Sequence, residues 1–260
     1  MKSRYLIALL TLLPTAIVYA EAPALTPPDE LSAVEIVERA YAHAGGDEWV
    51  NPRSLRMEGY GLFWRGTETA VRYEPYTMWR VYPETKDDAH AADGRVRIEA
   101  FRDSEVVFQI AFDGERTYDR NGPVEDQADS DRWSSNFGFG VIRHALDEGY
   151  AVSRLPDDAV DGAPAYTVRI TDPAGGETLF RIRQADFAIV SVGFDTPRGW
   201  HERIYSDFYR NEDGGWLQPG RVRLYYDGEK ANEIYWTRFV IDEEYPVELF
   251  RLGDPADSGS

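Results

Sequence analysis

The chain contains no cysteine. Disulfide staples and thiolate metal ligation are therefore excluded, as is the modified cysteine of a lipoprotein anchor, and the fold must be held by its core. Histidine is nearly as scarce. His43, His90, His144 and His201 are the four; none pairs with another at ligand spacing, and there is no HExxH motif. Neither a metal nor a cofactor is expected. The acidic stretch Glu125 to Asp131 lacks the glycine and closing glutamate of an EF-hand and reads as a solvated turn. Positive charge is also in short supply: 28 Lys and Arg stand against 46 Asp and Glu, a net charge of −18. Such a chain repels nucleic-acid phosphates, so no nucleic-acid partner is expected. Nor is there a G-x-S-x-G elbow. Ser206 and His201 are five apart on an extended segment and point to opposite faces, so no catalytic residue is assigned.

Long apolar runs are missing beyond the first twenty residues. There, "MKSRYLIALLTLLPTAIVYA" joins Lys2 and Arg4 to an apolar stretch ending in small residues, the pattern of a signal peptide cleaved after Ala20. The run is shorter than the ~20 residues of a membrane span. The mature protein is expected to be soluble, periplasmic or secreted, and monomeric. Residues 21–31, rich in proline, read as a flexible linker, residues 32–252 as one domain, and 253–260 as a disordered tail.

What the chain does have is two kinds of periodicity. Ser32 and Glu35 form a capping box. Ile36, Val37, Ala40, Tyr41 and Ala44 then share one helical face, and Gly45-Gly46 ends the helix. From Ser54 the period becomes two, with prolines expected to close strands at 75 and 83. Asp113-Gly114 reads as a hairpin turn. "EDQADSDRW" reads as a loop, "NFGFGVIRHALDEGY" as a second helix and "LPDDAVDGAP" as another loop. Hairpins follow across residues 173–176, 195–199 and 227–230. The sum is an α+β fold of about ten antiparallel strands. A sheet that large curls into an incomplete β-barrel, with the helices covering the open side.

This order of parts resembles the LolA/LolB class of periplasmic lipoprotein carriers over roughly residues 32–252. The likeness rests on "ERAYAHAGG…SLRMEGYG", on "FQIAFDGERTYDRNG" and on "YTVRITDPAGGETLFRIRQADFAIVSVGFDT". It implies a LolA-like β-half-barrel with an apolar cavity for acyl chains. The expected function is that of a carrier or chaperone for a lipoprotein acyl chain or another hydrophobic or amphiphilic ligand. Two alternatives stand beside it. One is an envelope sensor with a protein partner; the other is an enzyme acting on envelope glycan or lipid.

Aromatic and aliphatic side chains are the natural lining of such a cavity. The candidates are Trp64, Trp79, Phe108, Phe112 and Phe139, with Ile142, Phe194, Ile204, Phe208 and Trp236. On the strand from Trp200 to Tyr209, the face bearing Ile204 and Phe208 is expected to look inward. The face bearing His201, Arg203 and Tyr205 is expected to satisfy itself by cross-strand charge pairs. Arg203 and Arg221 are the candidates for a ligand head group, since guanidinium grips carboxylate or phosphate.

Overall fold

The structure is a computed structural model. It describes residues 31–253, apart from 65–69, 84–87, 89–93, 127, 129, 131–132, 134–140 and 212–213.

The capping box forms as the sequence predicts. Ser32 Oγ accepts from the Glu35 amide (3.2 Å), and Glu35 Oε2 accepts from the Ser32 amide (2.9 Å). Helix α1 (Ala33–Ala44) buries Ala33, Ile36, Val37, Ala40 and Ala44, and both the Gly45 and Gly46 amides donate to the Tyr41 carbonyl at its end. Replacing Ser32 with alanine is expected to cost about 1 kcal/mol, read as a lower denaturant midpoint at unchanged m-value. A single-turn helix, α2 (Asp47–Val50), follows and buries Trp49.

The sheet holds thirteen strands among the described residues, somewhat more than the ten expected. They are β1 (Ser54–Phe63), β2 (Val71–Val81), β3 (Arg95–Arg102), β4 (Glu105–Phe112), β5 (Thr117–Asp119), β6 (Gly122–Pro123), β7 (Ala151–Val160), β8 (Ala163–Thr171), β9 (Glu177–Arg183), β10 (Ile189–Thr196), β11 (Gly199–Arg210), β12 (Leu217–Tyr226) and β13 (Glu229–Ile241). Their order is β6-β5-β4-β3-β2-β1-β13-β12-β11-β10-β9-β8-β7. Two meanders thus run outward from the centre, where the first strand pairs antiparallel with the last, Leu55 opposite Ile241 and Phe63 opposite Asn232. The sheet is curled and open, with β6 and β7 at its edges.

The predicted turns are present. Asp113 Oδ1 accepts from the Glu115 and Arg116 amides, and Gly114 takes the left-handed φ of 108°. At the β12–β13 turn, Asp227 and Gly228 both have positive φ, as a type I′ hairpin requires.

Two sequence expectations fail at proline. Strand β2 does not stop at Pro75. The β1–β2 register shifts between Gly59 and Gly61 there, leaving Glu74 and Pro75 outside the ladder, and a residue with no amide hydrogen is tolerated where no ladder bond is due. Likewise "LPDDAVDGAP" is mostly strand. Pro156 sits in the β7–β8 irregularity between Leu155 and Asp158, on an edge strand, and the turn is confined to Asp161-Gly162. Most of the N-terminal half of the second predicted helix lies outside the described residues. Within its described part, residues 141–150, Val141–His144 form a 3₁₀ turn and the rest is turns and bends rather than α-helix.

The core lies on the concave face. Ile36 and Val37 of α1 meet Tyr166, Val168 and Ile170 of β8 and Phe180 and Ile182 of β9 in one buried cluster. The packing is solid there and opens into a cavity toward the middle of the sheet.

Candidate functional site

The cavity holds about 650 Å³ and opens between the concave face and the short helical segments, a volume suited to a small ligand. Its apolar wall comes from central strands: Phe63 of β1, Met78 of β2, Ile98 of β3, Leu224 of β12, and Ile234 and Trp236 of β13. The helical segments over it are tied together by polar contacts. The Tyr41 hydroxyl donates to the Ile142 carbonyl, and Arg143 Nε donates to the Trp49 carbonyl at 2.7 Å.

The wall includes Trp64, Phe108, Ile142, Phe208 and Trp236 from the aromatic and aliphatic set, and also Arg203. Trp79 is not part of it. It lies on the opposite phase of β2 from Tyr76, Met78 and Arg80, with the Arg97 guanidinium 5.7 Å from its ring centre. Phe112 is packed with Val96 and Ile110 in a solid satellite core, and Phe194 is fully enclosed against the His201 ring, 4.6 Å away. Phe139 lies outside the described residues.

On β11 the expected inward face is corrected. Arg203 and Tyr205 line the cavity, while Glu202 faces out, where Arg181 Nη1 donates to it at 2.8 Å. Ile204 shares that outer phase; Asp207 takes a positive φ of 54°, and Phe208 beyond it packs with Ala165, Ala188 and Val190 and also borders the cavity. The bulk of Ile204 was a poorer guide than the ladder of charges: Arg181 also holds Asp158 at 2.7 Å, and this outer network takes the carboxylates. Arg221 belongs to it too. Its Nη2 donates to both Glu233 carboxylate oxygens at 3.0 Å, so it is cross-strand paired on the outer face and away from the cavity.

His201 is fully buried. Arg203 Nε donates to its Nε2 at 3.0 Å. Its ring is held between Phe194 and an edge-on Tyr226, so it is a positioning group for Arg203.

Sequence reasoning missed two further arginines. Arg80 is 4% exposed and lines the cavity with Tyr76 and Met78. Its signal was present: in "YTMWR" it occupies the apolar phase of an alternating strand. Arg143 hangs from the 3₁₀ turn, its guanidinium 4.2 Å from the Trp49 ring centre, 5.0 Å from Tyr82 and 5.3 Å from Trp216. Desolvation lowers the pKa of Arg80, Arg143 and Arg203, and the charge on Arg80 lowers that of the other two further. Burial pushes Tyr76 up to about 12 and raises Tyr205, so both hydroxyls keep their protons as donors. Among the described residues, no group of three His, Asp or Glu could hold a metal, and no helix is long and apolar enough to cross a membrane.

No protein-family model and no curated protein matches the sequence. Solved structures do. A LolA superfamily protein from Nitrosomonas europaea is 12% identical, with a TM-score of 0.53 over 85% of this chain and 97% of that one. A DUF1329 family protein from Desulfovibrio piger is also 12% identical, with a TM-score of 0.49 over 84% and 97%. A domain described as an outer membrane lipoprotein-sorting protein, from Vibrio parahaemolyticus, is 11% identical, with a TM-score of 0.48 over 86% and 97%. The first of these shows that the fold is LolA-like.

Proposed function

We propose that this chain, with its LolA-like fold, is an exported carrier or chaperone that encloses the apolar part of a hydrophobic or amphiphilic ligand, of which an acyl chain is the simplest. The observation that carries this reading is the 650 Å³ cavity with its apolar wall on the concave face of the open sheet. Binding of this kind needs no covalent chemistry. Each buried methylene contributes about 0.8 kcal/mol, and the wall from Phe63 to Trp236 offers the matching surface. The signal-like first twenty residues support a reading of the protein as periplasmic or secreted, acting in this proposal as a single-domain monomer.

Leu224→Trp tests it, because Leu224 lines the cavity and is only half-buried, so a larger side chain extends into the cavity rather than into solid core. A fluorescent fatty acid is expected to bind the wild type at micromolar levels. Its affinity for the variant should fall by about tenfold or more, equivalent to 1.4 kcal/mol, with little change in thermal midpoint. If the wild type binds no such probe, and native mass spectrometry of protein taken from its own compartment always finds it empty, the carrier reading fails.

A further inference from the structure

Two phenols reach the cavity from separate parts of the curled sheet. Tyr76 stands on β2 and Tyr205 on β11, with β1, β13 and β12 between their strands, and both line the cavity wall. Tyr76 is fixed by its neighbours. It is 8% exposed, and its ring centre lies 6.0 Å from that of Phe63 and 5.6 Å from that of Trp236. Those two side chains hold the phenol by packing alone, since a phenyl ring has no hydrogen-bonding atom and an indole N–H only donates. Elsewhere in the molecule tyrosine hydroxyls donate to protein oxygens: Tyr41 to the Ile142 carbonyl, Tyr118 to Asp113, Tyr235 to Glu233 and Tyr245 to Glu243. Among the described residues, the hydroxyls of Tyr76 and Tyr205 are not bonded to a protein group, and neither oxygen is sealed inside solid core.

A hydroxyl kept in a largely apolar space is costly unless something accepts its proton, and at a cavity wall that partner is water or a ligand. Burial raises the pKa of both phenols, so each holds its proton. The Arg203 charge acts on both, and Arg203 is itself kept in place by its 3.0 Å bond to the His201 ring. The two hydroxyls therefore border one region of positive potential. Two proton donors there favour an oxygen that carries partial negative charge, and a carbonyl oxygen with its two lone pairs can accept from both at once. Because the Tyr76 ring is already locked between its neighbours, little side-chain freedom is lost when the bond forms.

We infer that Tyr76 and Tyr205 are the residues by which the cavity recognises polarity, donating to the acyl oxygen of an amphiphile (an ester, an amide or a carboxylate) while its chain runs along Phe63, Ile234 and Trp236. The inference rests on the carrier reading and deepens it. A plain hydrocarbon satisfies the apolar wall but leaves both hydroxyls unmatched. An acyl group satisfies both, which sets its depth in the cavity as well as its affinity.

The test uses the full wild-type protein with Y76F and Y205F, each checked by circular dichroism and thermal melting. Diphenylhexatriene, a fluorescent hydrocarbon without oxygen, reports on the apolar wall alone, and methyl decanoate, decanamide and decanoate compete with it below their aggregation thresholds. Each variant should bind the hydrocarbon as the wild type does and bind at least one acyl probe about threefold to tenfold more weakly. The probe that loses most separates an ester, an amide and a carboxylate source. With methyl decanoate isotope-labelled at its carbonyl carbon, the carbonyl stretch in the wild-type complex should lie below its position in hexane and move back toward it in each variant. Should a variant not fold, the wild-type band position still decides. Acyl affinities unchanged in both folded variants overturn the inference and leave the carrier reading intact, as does a wild-type band no lower than in hexane. Equal losses for the hydrocarbon and the acyl probes assign the tyrosines to packing and overturn it too, and a loss in one variant only overturns the two-donor arrangement. If the wild type binds neither the hydrocarbon nor any acyl probe, the carrier reading itself falls.

Discussion

Trp216→Ala should lower stability by about 3–5 kcal/mol and the thermal midpoint by roughly 6–20 °C for a domain of this size. Trp216 is 1% exposed. It stands at the start of β12, where the helical segments meet the sheet, with its ring near Trp49 of α2 (6.4 Å) on one side and Phe239 of β13 (6.3 Å) on the other. Its indole N–H donates to Gln218 Oε1 at 3.0 Å, and Gln218 is itself buried. Removing the ring therefore leaves a void and also strips a buried amide oxygen of its donor, and each alone is costly. Trp216→Phe keeps most of the ring and loses the N–H, so its loss should be clearly smaller. Denaturant unfolding of both variants decides the matter. A cost for the alanine variant below about 1 kcal/mol would mean that this corner is not where the helical segments are held to the sheet.

Glu233→Gln should be the second most damaging single change, and the one with the clearest pH signature. Glu233 is 3% exposed on the outer face of β13. It accepts from Arg221 at 3.0 Å, Lys230 at 2.5 Å and the Tyr235 hydroxyl at 2.7 Å. Desolvation opposes its ionised form, but these three donors outweigh that and bring its pKa to about 2. Against an unfolded value near 4.3, the depression corresponds to about 3 kcal/mol. The folded pKa is the lower one, so the contribution is complete above the unfolded pKa. It declines as the pH falls below about 4.3 and is gone below about 2. The wild type should thus exceed Glu233→Gln in stability by about 3 kcal/mol at neutral pH, and the two should converge toward pH 2. Other carboxylates with lowered pKa values, such as Asp161 and Asp186, affect both proteins alike, so the difference isolates Glu233. A gap that stays constant from pH 7 to pH 2 would assign the loss to packing instead.

Much of this architecture was legible in the residues. Ser32 and Glu35 marked the start of the helix because the capping box is a local exchange of hydrogen bonds, complete within four residues. The same holds for Asp113-Gly114 and Asp227-Gly228, whose backbone conformations are set by the turn itself. Local signals misled at Pro75 and Pro156. Whether a missing amide hydrogen breaks a strand depends on whether a neighbour expects that bond, and the neighbour is far away in sequence. The cavity was legible in kind, from the surplus of aromatics in a curled sheet, and partly in composition. Arg80 and Arg143 were overlooked because an arginine on an apolar phase looks like a lapse in the pattern until something gathers several of them.

On "WHERIYSDF", alternation determined that His201, Arg203 and Tyr205 share one face and Glu202 and Ile204 the other. That much follows from the two-residue period of an extended chain. Period two is blind to which face is inside. The choice was made by the direction in which thirteen strands curl, by the pairing of β1 with β13 that sets the curve, and by Arg181, two strands away, which holds Glu202 on the outside. Contacts between residues far apart in the chain turned Arg203 from a surface charge into part of the cavity wall.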